Sequence, residues 1–457
     1  MRVVILTHIF WPEPADFKNM ALAKALVDHG HEVTVIAPFP NYPTGRIYDG
    51  YRMSWRRWQF VEGVRILRLP LYPDHSASGL RRMVNYLSYT AAATVLGPIL
   101  AGPTDVVFVY SPPMTLGLAA RAFKTIRRAK VLLDVVDLWP EAVAGSGMTD
   151  SGAVVGVTGW FARQAYRTAD AITVLTRGFQ SRVTASGVRI TVPVKVRYPW
   201  SMRTIPSQRT RSKSFGVEFG LPGHFCVIHA GNLGPYQNMG VVLEAAELLR
   251  RDPTIRIVLV GGGRDAEGIG DQVRARGLTN VVMTGSFPSD KMPGILAWAD
   301  ACLVSLKPDP YLAINMPSKV ASYLAAGKPL VVSATGETAD LVTNNRVGLT
   351  ADPTNPADLA HAIRALAALA PAEREAMGLR AMQLFDRDFD AANGIDAYVS
   401  MLEQLGSSWR RRRPWRGNGS KTDWRASTSR ARMTPTPTTE TPIRATSSAS
   451  RAWSGRS

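Results

Sequence analysis

The chain has 457 residues, 46% hydrophobic and 20% charged, which is too long for one core and too apolar for a disordered polymer, so two domains with additions are expected. Its formal charge of +18 is uneven: residues 407–457 hold 12 Lys and Arg against Asp423 and Glu440, a net +10, and the first 406 residues carry +8. Two cysteines, Cys226 and Cys302, lie inside apolar strand-like runs, which argues against a disulfide framework and for a reducing compartment.

The N-terminal run VVILT reads as a buried strand rather than a secretory signal. The runs EVTVIAP, VRILRL, DVVFVY, KVLLDVV and DAITVL then alternate with helix-length amphipathic stretches, the pattern of a parallel sheet covered by helices. Residues 83–104 contain no charge and follow Arg81 and Arg82; 22 such residues approach a membrane span in length. Asn85, Ser88, Thr90, Thr94 and Gly97-Pro98 make a poor span, so an interfacial helix is expected, with Tyr86, Tyr89 and the arginines at headgroup level, or else plain core packing. Residues 200–224 turn polar and read as a linker, after which the alternation restarts with FCVIHAG, IRIVLVGGG, VVMTG, ACLVSL and KPLVVS.

The pattern predicts an α/β chain of two doubly wound, Rossmann-like domains facing a central cleft: residues 1–199, a linker 200–224, and residues 225–388. Residues 389–406 are expected to form a helix returning to the first domain. The segment 407–457 reads as a disordered basic tail; WRRRRPWRGNG could meet anionic lipid or nucleic acid, and a solvated tail is the simpler reading. Ligands in such sheets bind outside the carboxyl ends of the strands.

In the second domain those ends are followed by GNLG (231–234), GGGRDAEG (261–268), GSFPSDKMP (285–293) and MPSKVASYLAAGKPLVVS (316–333). Gly261, Gly263 and Ala266 satisfy a loose dinucleotide fingerprint, but the strand after them lacks the acidic residue that would hold a ribose, so a nucleotide held some other way is expected. In the last segment Pro317 suits a first helical turn, Val320, Tyr323 and Leu324 repeat at helical spacing, and Gly327 with Pro329 supplies a stop. The helix start would bring free N–H groups, the Ser318 hydroxyl and the Lys319 ammonium together, as phosphate sites do; the plainer alternative is a capped surface helix with a solvated lysine.

FWPEP after the first strand, GHEVTVIAPFPNYPTGRIY (30–48), YSPPMTLGLAA (110–120), DVVDLWPE (134–141), HAGNLG and MPSKVASYLAAGKPLV together resemble the retaining glycosyltransferase family 4, of GT-B architecture, in the subgroup that builds bacterial surface polysaccharides such as O-antigen, colanic acid and exopolysaccharide. The resemblance covers about residues 1–405. It implies transfer of a hexose-type sugar, with retention, from a UDP- or GDP-type sugar to a polyprenyl-linked saccharide. No separate cofactor is expected, and the 83–104 run beside Arg81 and Arg82 with the two unpaired cysteines points to a cytoplasmic protein peripheral at the inner face of the plasma membrane, with an anionic membrane surface as partner and no nucleic acid. A nucleotide-sugar epimerase of the same architecture and a non-catalytic sugar-nucleotide binding protein are the alternatives.

By the same resemblance, Pro317, Ser318 and Lys319 would hold the donor diphosphate, Gly231, Asn232 and Gly234 would face it from the opposite loop, and Phe287 would flank the base. Asn232 as a helix cap and Phe287 as a core residue stay open. The family's ribose-binding glutamate falls on Ser322 and its partner on Ile314; Glu337 could take part of that role or simply open a helix. The basic residues usual in the first loop of that domain are absent, with Asn232 and Gln237 nearby, which leaves Lys319 more of the phosphate charge. In the first domain Asp137, with Glu141 one turn later, could act on the acceptor hydroxyl, position it, or cap a helix. His8, Glu13, Asn41, Tyr42 and Arg46 would line the acceptor side, His75 and His229 read as structural, and no residue cluster has metal-ligand spacing.

Overall fold

A computed structural model describes residues 1–13, 18–76, 78–145, 152–202 and 210–410. The tail 411–457, Pro14 of FWPEP and residues 203–209 of the expected linker lie outside them.

The first domain is built on β1 (Arg2–Leu6), β2 (Glu32–Pro38), β3 (Arg57–Val61), β4 (Val64–Leu69), β5 (Val106–Ser111), β6 (Lys130–Val135), β7 (Ala171–Val174) and β8 (Val194–Val196), in the order β3-β4-β2-β1-β5-β6-β7-β8. The second has β9 (Phe225–Ala230), β10 (Ile255–Val260), β11 (Val281–Gly285), β12 (Ala301–Ser305), β13 (Leu330–Ser333) and β14 (Gly348–Ala351), in the order β11-β10-β9-β12-β13-β14. Every pairing is parallel except β3 with β4. The runs of Val, Ile and Leu follow from this: in β1, Val3 and Ile5 enter the core on one face of the sheet and Val4 and Leu6 the core on the other. The result is two Rossmann-like domains.

Helix Gly79–Ala101 takes up residues 83–101 of the uncharged stretch. It buries Asn85, Tyr89, Thr90, Ala93 and Gly97, and the Tyr89 hydroxyl donates to the Ile36 carbonyl at 2.8 Å. Leu80, Val84, Leu87, Val95 and Ile99 stay exposed at helical spacing along its outer side. Among the described residues no helix is long and apolar enough to cross a membrane.

Part of the polar 200–224 stretch is not free chain. Helix Lys213–Glu218 buries Phe215 in the second core, Leu221 follows it there, and the Trp298 indole N–H donates to the Ser212 carbonyl at 2.8 Å. At the other end, helix Ala391–Arg410 sets Tyr398, Val399, Met401 and Leu402 into the first domain's core beside Val3 and Ile5. A buried polar knot fixes it. Lys18 Nζ lies 2.7 Å from Asp134 Oδ2 and 2.8 Å from the Tyr398 hydroxyl, while Tyr398 and Thr173 each donate to Asp134 Oδ1 at 2.6 Å. Deleting one donor to a buried carboxylate costs about 1–3 kcal/mol, so Tyr398→Phe is expected to lower the thermal midpoint by several degrees; an unchanged midpoint would show that the knot adds nothing to stability.

Candidate active site

Both strand orders reverse beside the first strand of their domain, between β1 and β5 and between β9 and β12, and a crevice opens outside the carboxyl ends at such points. In the second domain the β9–β12 ladder stops at Ile228 opposite Cys302. Beyond it the strands part, and side chains satisfy the freed backbone. His229 Nδ1 lies 3.2 Å from the Leu303 carbonyl, and the buried Tyr323 hydroxyl accepts from Ala230 N at 2.7 Å and donates to Ala230 O at 3.1 Å. Tyr323 thereby pins helix Lys319–Ala325 over the end of β9.

Lys319 opens that helix. Its Nζ stands 2.6 Å from Gln237 Oε1 and 3.1 Å from His229 Nε2, and a Cβ on Gly231 would come within 3.4 Å of its Cε. Burial brings its pKa down to about 7. With seven residues the helix is too short for a strong dipole, and Ser318 is exposed and makes no side-chain cap, so the ammonium is the main anion-binding feature here. Pro317 is half-buried, its carbonyl accepting from Val320 N at 3.0 Å. Asn232 is exposed on the Gly231 loop and caps no helix, and Gly234 opens the 3₁₀ turn Pro235–Gln237. Gly261 and Gly263, with φ of 140° and 149°, let two loops stack: a Cβ on the first would fall 1.9 Å from Gly231 O and on the second 2.5 Å from Asn232 Oδ1. That contact accounts for the glycines of the loose fingerprint.

Three residues expected at the donor make contacts within the chain. Ser322 Oγ lies 3.3 Å from Ser201 Oγ of the segment between the domains, and Glu337 Oε1 accepts from Gly178 N of the first domain at 2.6 Å, a bond across the seam. Phe287 meets Phe215 and Phe219 edge-on at 5.4 and 6.3 Å, in an aromatic trio.

Across the cleft, Asp137 follows β6, half-buried. Burial pushes its pKa up to about 6, against the downward pull of the Tyr311 hydroxyl, which donates to Oδ1 at 3.3 Å. Tyr311 comes from the second domain, on helix Pro310–Ala313, where Asp309 accepts from Tyr311 N and Leu312 N and the ring stacks on Phe179 at 6.0 Å. Burial raises the Tyr236 phenol, next to Gln237, and the charges of Asp309 and Asp137 add to the rise. Glu141 starts helix Glu141–Gly145, half-buried, and its charge adds to the burial that raises the Tyr166 phenol.

An aromatic wall leads away from Asp137. The Tyr86 phenol, raised chiefly by burial and also by Asp137, has its ring 6.1 Å from Trp139 and edge-on to buried His8 at 5.1 Å. Burial lowers the His8 pKa to about 3. Tyr42 meets His75 edge-on at 5.1 Å, and buried Asn41 accepts from Asn85 Nδ2 at 3.5 Å. Glu13 is buried, and its carboxylate accepts from the N–H of Phe10, Asn41 and Tyr42 at 3.0, 2.8 and 2.8 Å, clipping the loops after β1 and β2 together. Arg46 is exposed. Among the described residues no group of His, Cys, Asp or Glu is arranged to hold a metal.

Residues 224–368 match the family described as glycosyl transferases group 1, and residues 19–198 match the glycosyl transferase 4-like domain. Both domains are of glycosyltransferase type. The glycosyltransferase is 25% identical over 319 residues, 68% of this chain and 77% of the relative, to WcaI of Escherichia coli, named for colanic acid biosynthesis. It is 25% identical over 178 residues, 36% of this chain and 42% of the relative, to the Bacillus subtilis glycosyltransferase YtcC. The crystal structure of Anabaena HepE with UDP-glucose aligns with a TM-score of 0.64 at 18% identity, covering 89% of this chain and 100% of HepE. Sucrose-phosphate synthase of Thermosynechococcus elongatus aligns with a TM-score of 0.64 at 16% identity, covering 89% and 100%. The fold of the glycosyltransferase is GT-B.

Two of its cleft residues escape sequence reading. His229 was expected to be structural, and its one signal is a lone imidazole in the apolar run FCVIHA. Tyr311 reaches Asp137 only through the meeting of the domains, which no spacing encodes. Since the Tyr311 bond lowers the Asp137 pKa, Tyr311→Phe is expected to raise it and move the acid limb of the pH–rate profile upward; an unmoved limb would show that the bond does not act on the ionising group.

Proposed function

We propose that this glycosyltransferase moves a hexose-type sugar from a UDP- or GDP-type nucleotide to a polyprenyl-linked saccharide, with retention, in the synthesis of a bacterial surface polysaccharide. The observation that carries the reading is the placing of two ionisable groups at strand ends, Lys319 held by Gln237 and His229 beyond β9 and Asp137 beyond β6 bonded by Tyr311 of the second domain; burial brings both toward neutrality. As the bond to the leaving diphosphate breaks, negative charge grows beside Lys319, which stabilises it. Asp137 orients the acceptor hydroxyl or accepts its proton, the leaving phosphate being the other group able to take it. Glu141 and the His8–Tyr86–Trp139 wall give the acceptor side its shape. The UDP and UDP-glucose held by HepE, and the colanic acid pathway in the name of WcaI, support a nucleotide-sugar donor and a polysaccharide product.

A panel of UDP- and GDP-sugars, incubated with and without a lipid-linked saccharide, tests this. Nucleoside diphosphate release that depends on the acceptor, with the anomeric configuration kept, is expected. Isomerised sugar nucleotide would make the protein an epimerase, and binding without turnover a sugar-nucleotide binding protein.

The reading includes attachment at the inner face of the plasma membrane. The exposed Leu80, Val84, Leu87, Val95 and Ile99 support it, as does edge strand β3, where Trp58 and Phe60 pair with Leu67 and Arg65 on the sheet face covered by that helix. Trp55 is 81% exposed just before it, between Arg52 and Arg56. A chain cut after Gly406 is expected to sediment with anionic vesicles, less so at high salt, and the pair Val95→Glu and Ile99→Glu should abolish this. Binding lost with the tail alone would assign attachment to the tail arginines.

A further inference from the structure

His229 occupies the point where β9 and β12 part, its ring buried. A carbonyl can only accept, so the 3.2 Å contact with Leu303 O assigns the proton to Nδ1; the Asn232 backbone also bonds the ring, and in this tautomer Nε2 carries the lone pair. That lone pair faces Lys319 Nζ at 3.1 Å, and the second acceptor on the ammonium, Gln237 Oε1, is also neutral. Tyr323 on the same helix is taken up by Ala230, and among the described residues no carboxylate forms an ion pair with Lys319. Two of the three ammonium N–H groups are thereby directed and one is left over.

We propose that His229 is a positioning residue of the donor site: through its fixed tautomer it holds the Lys319 ammonium beside Gly231 with one N–H free for a diphosphate. A carboxylate in its place would aim the ammonium equally well but would neutralise it and repel the guest. A neutral acceptor aims it and leaves the charge. Burial and the Lys319 charge keep the imidazole neutral, well below the ordinary histidine range, so it stays an acceptor at physiological pH. The inference rests on the donor-site reading above.

Two conservative variants separate its two bonds. Asparagine places an amide N–H near the Nδ1 position and can keep the Leu303 bond, whereas glutamine places an amide oxygen near the Nε2 position and can keep the Lys319 bond. In calorimetric titrations of the full chain with UDP and with GDP, His229→Asn is expected to weaken the nucleotide that binds by about 10- to 100-fold, the loss of a hydrogen bond to a charged group. His229→Gln should stay within about threefold, and in a Lys319→Ala background the two should be indistinguishable. In parallel, ¹³C-lysine NMR should show the Lys319 titration midpoint falling in His229→Asn and unmoved in His229→Gln. Equal losses in the two variants, no loss in either, or loss with glutamine alone would overturn the proposal. If Lys319→Ala itself leaves both nucleotides bound as tightly, the donor-site reading falls, and the NMR midpoints still decide whether His229 holds Lys319.

Discussion

Asp137→Asn is expected to lower single-turnover transfer by roughly 10²–10⁴ at saturating donor, with donor affinity unchanged, because the substitution keeps the shape and removes the charge that acts on the acceptor hydroxyl. The same variant should be more stable. Folding raises this carboxyl from its ordinary value to about 6, so the folded chain holds its proton more tightly than the unfolded one. The penalty is absent below the unfolded pKa, grows as pH rises through about 6, and amounts to about 3 kcal/mol above it. Thermal unfolding at pH 8 should show the gain, and at pH 3 it should vanish. A helix cap would behave otherwise, since asparagine caps as well as aspartate; near-equal transfer rates would remove Asp137 from the reaction and leave the donor phosphate as the base.

Lys319→Met carries the second large effect. Burial brings the ammonium from its ordinary value to about 7, so holding it charged in the fold costs on the order of 3–5 kcal/mol at pH 6, a cost that disappears as pH rises toward the unfolded pKa. Methionine fills the same space without the charge. The variant is expected to gain several kcal/mol in denaturant titrations at pH 6 and little at pH 10, while losing its grip on nucleoside diphosphates. Stability gained where binding is lost marks a group kept for function, and no gain at pH 6 would mean that the ammonium is solvated.

The strands rich in Val, Ile and Leu were legible because parallel strands are buried on both faces. β3, β8 and β14 were not, and each lacks that signal: β3 is a largely exposed edge, β8 has three residues and β14 carries Gly348 and Thr350. The loops at the strand ends were legible as places. What each side chain does there was less so, because it depends on partners far away in sequence. Lys319 finds Gln237 and His229 82 and 90 residues upstream, and Asp137 finds Tyr311 174 residues downstream. Comparable distances hide Glu337 as the partner of Gly178 and Ser322 as the partner of Ser201.

The Lys319 site as the seat of the donor diphosphate is tested most directly by calorimetry of UDP and GDP on the full-length chain and on Lys319→Ala at pH 6. The wild type is expected to bind one of the two, and the variant to bind it more weakly by about 1.5–3 kcal/mol, roughly 10- to 150-fold, with its unfolding transition intact. Equal affinity in the two proteins would contradict it.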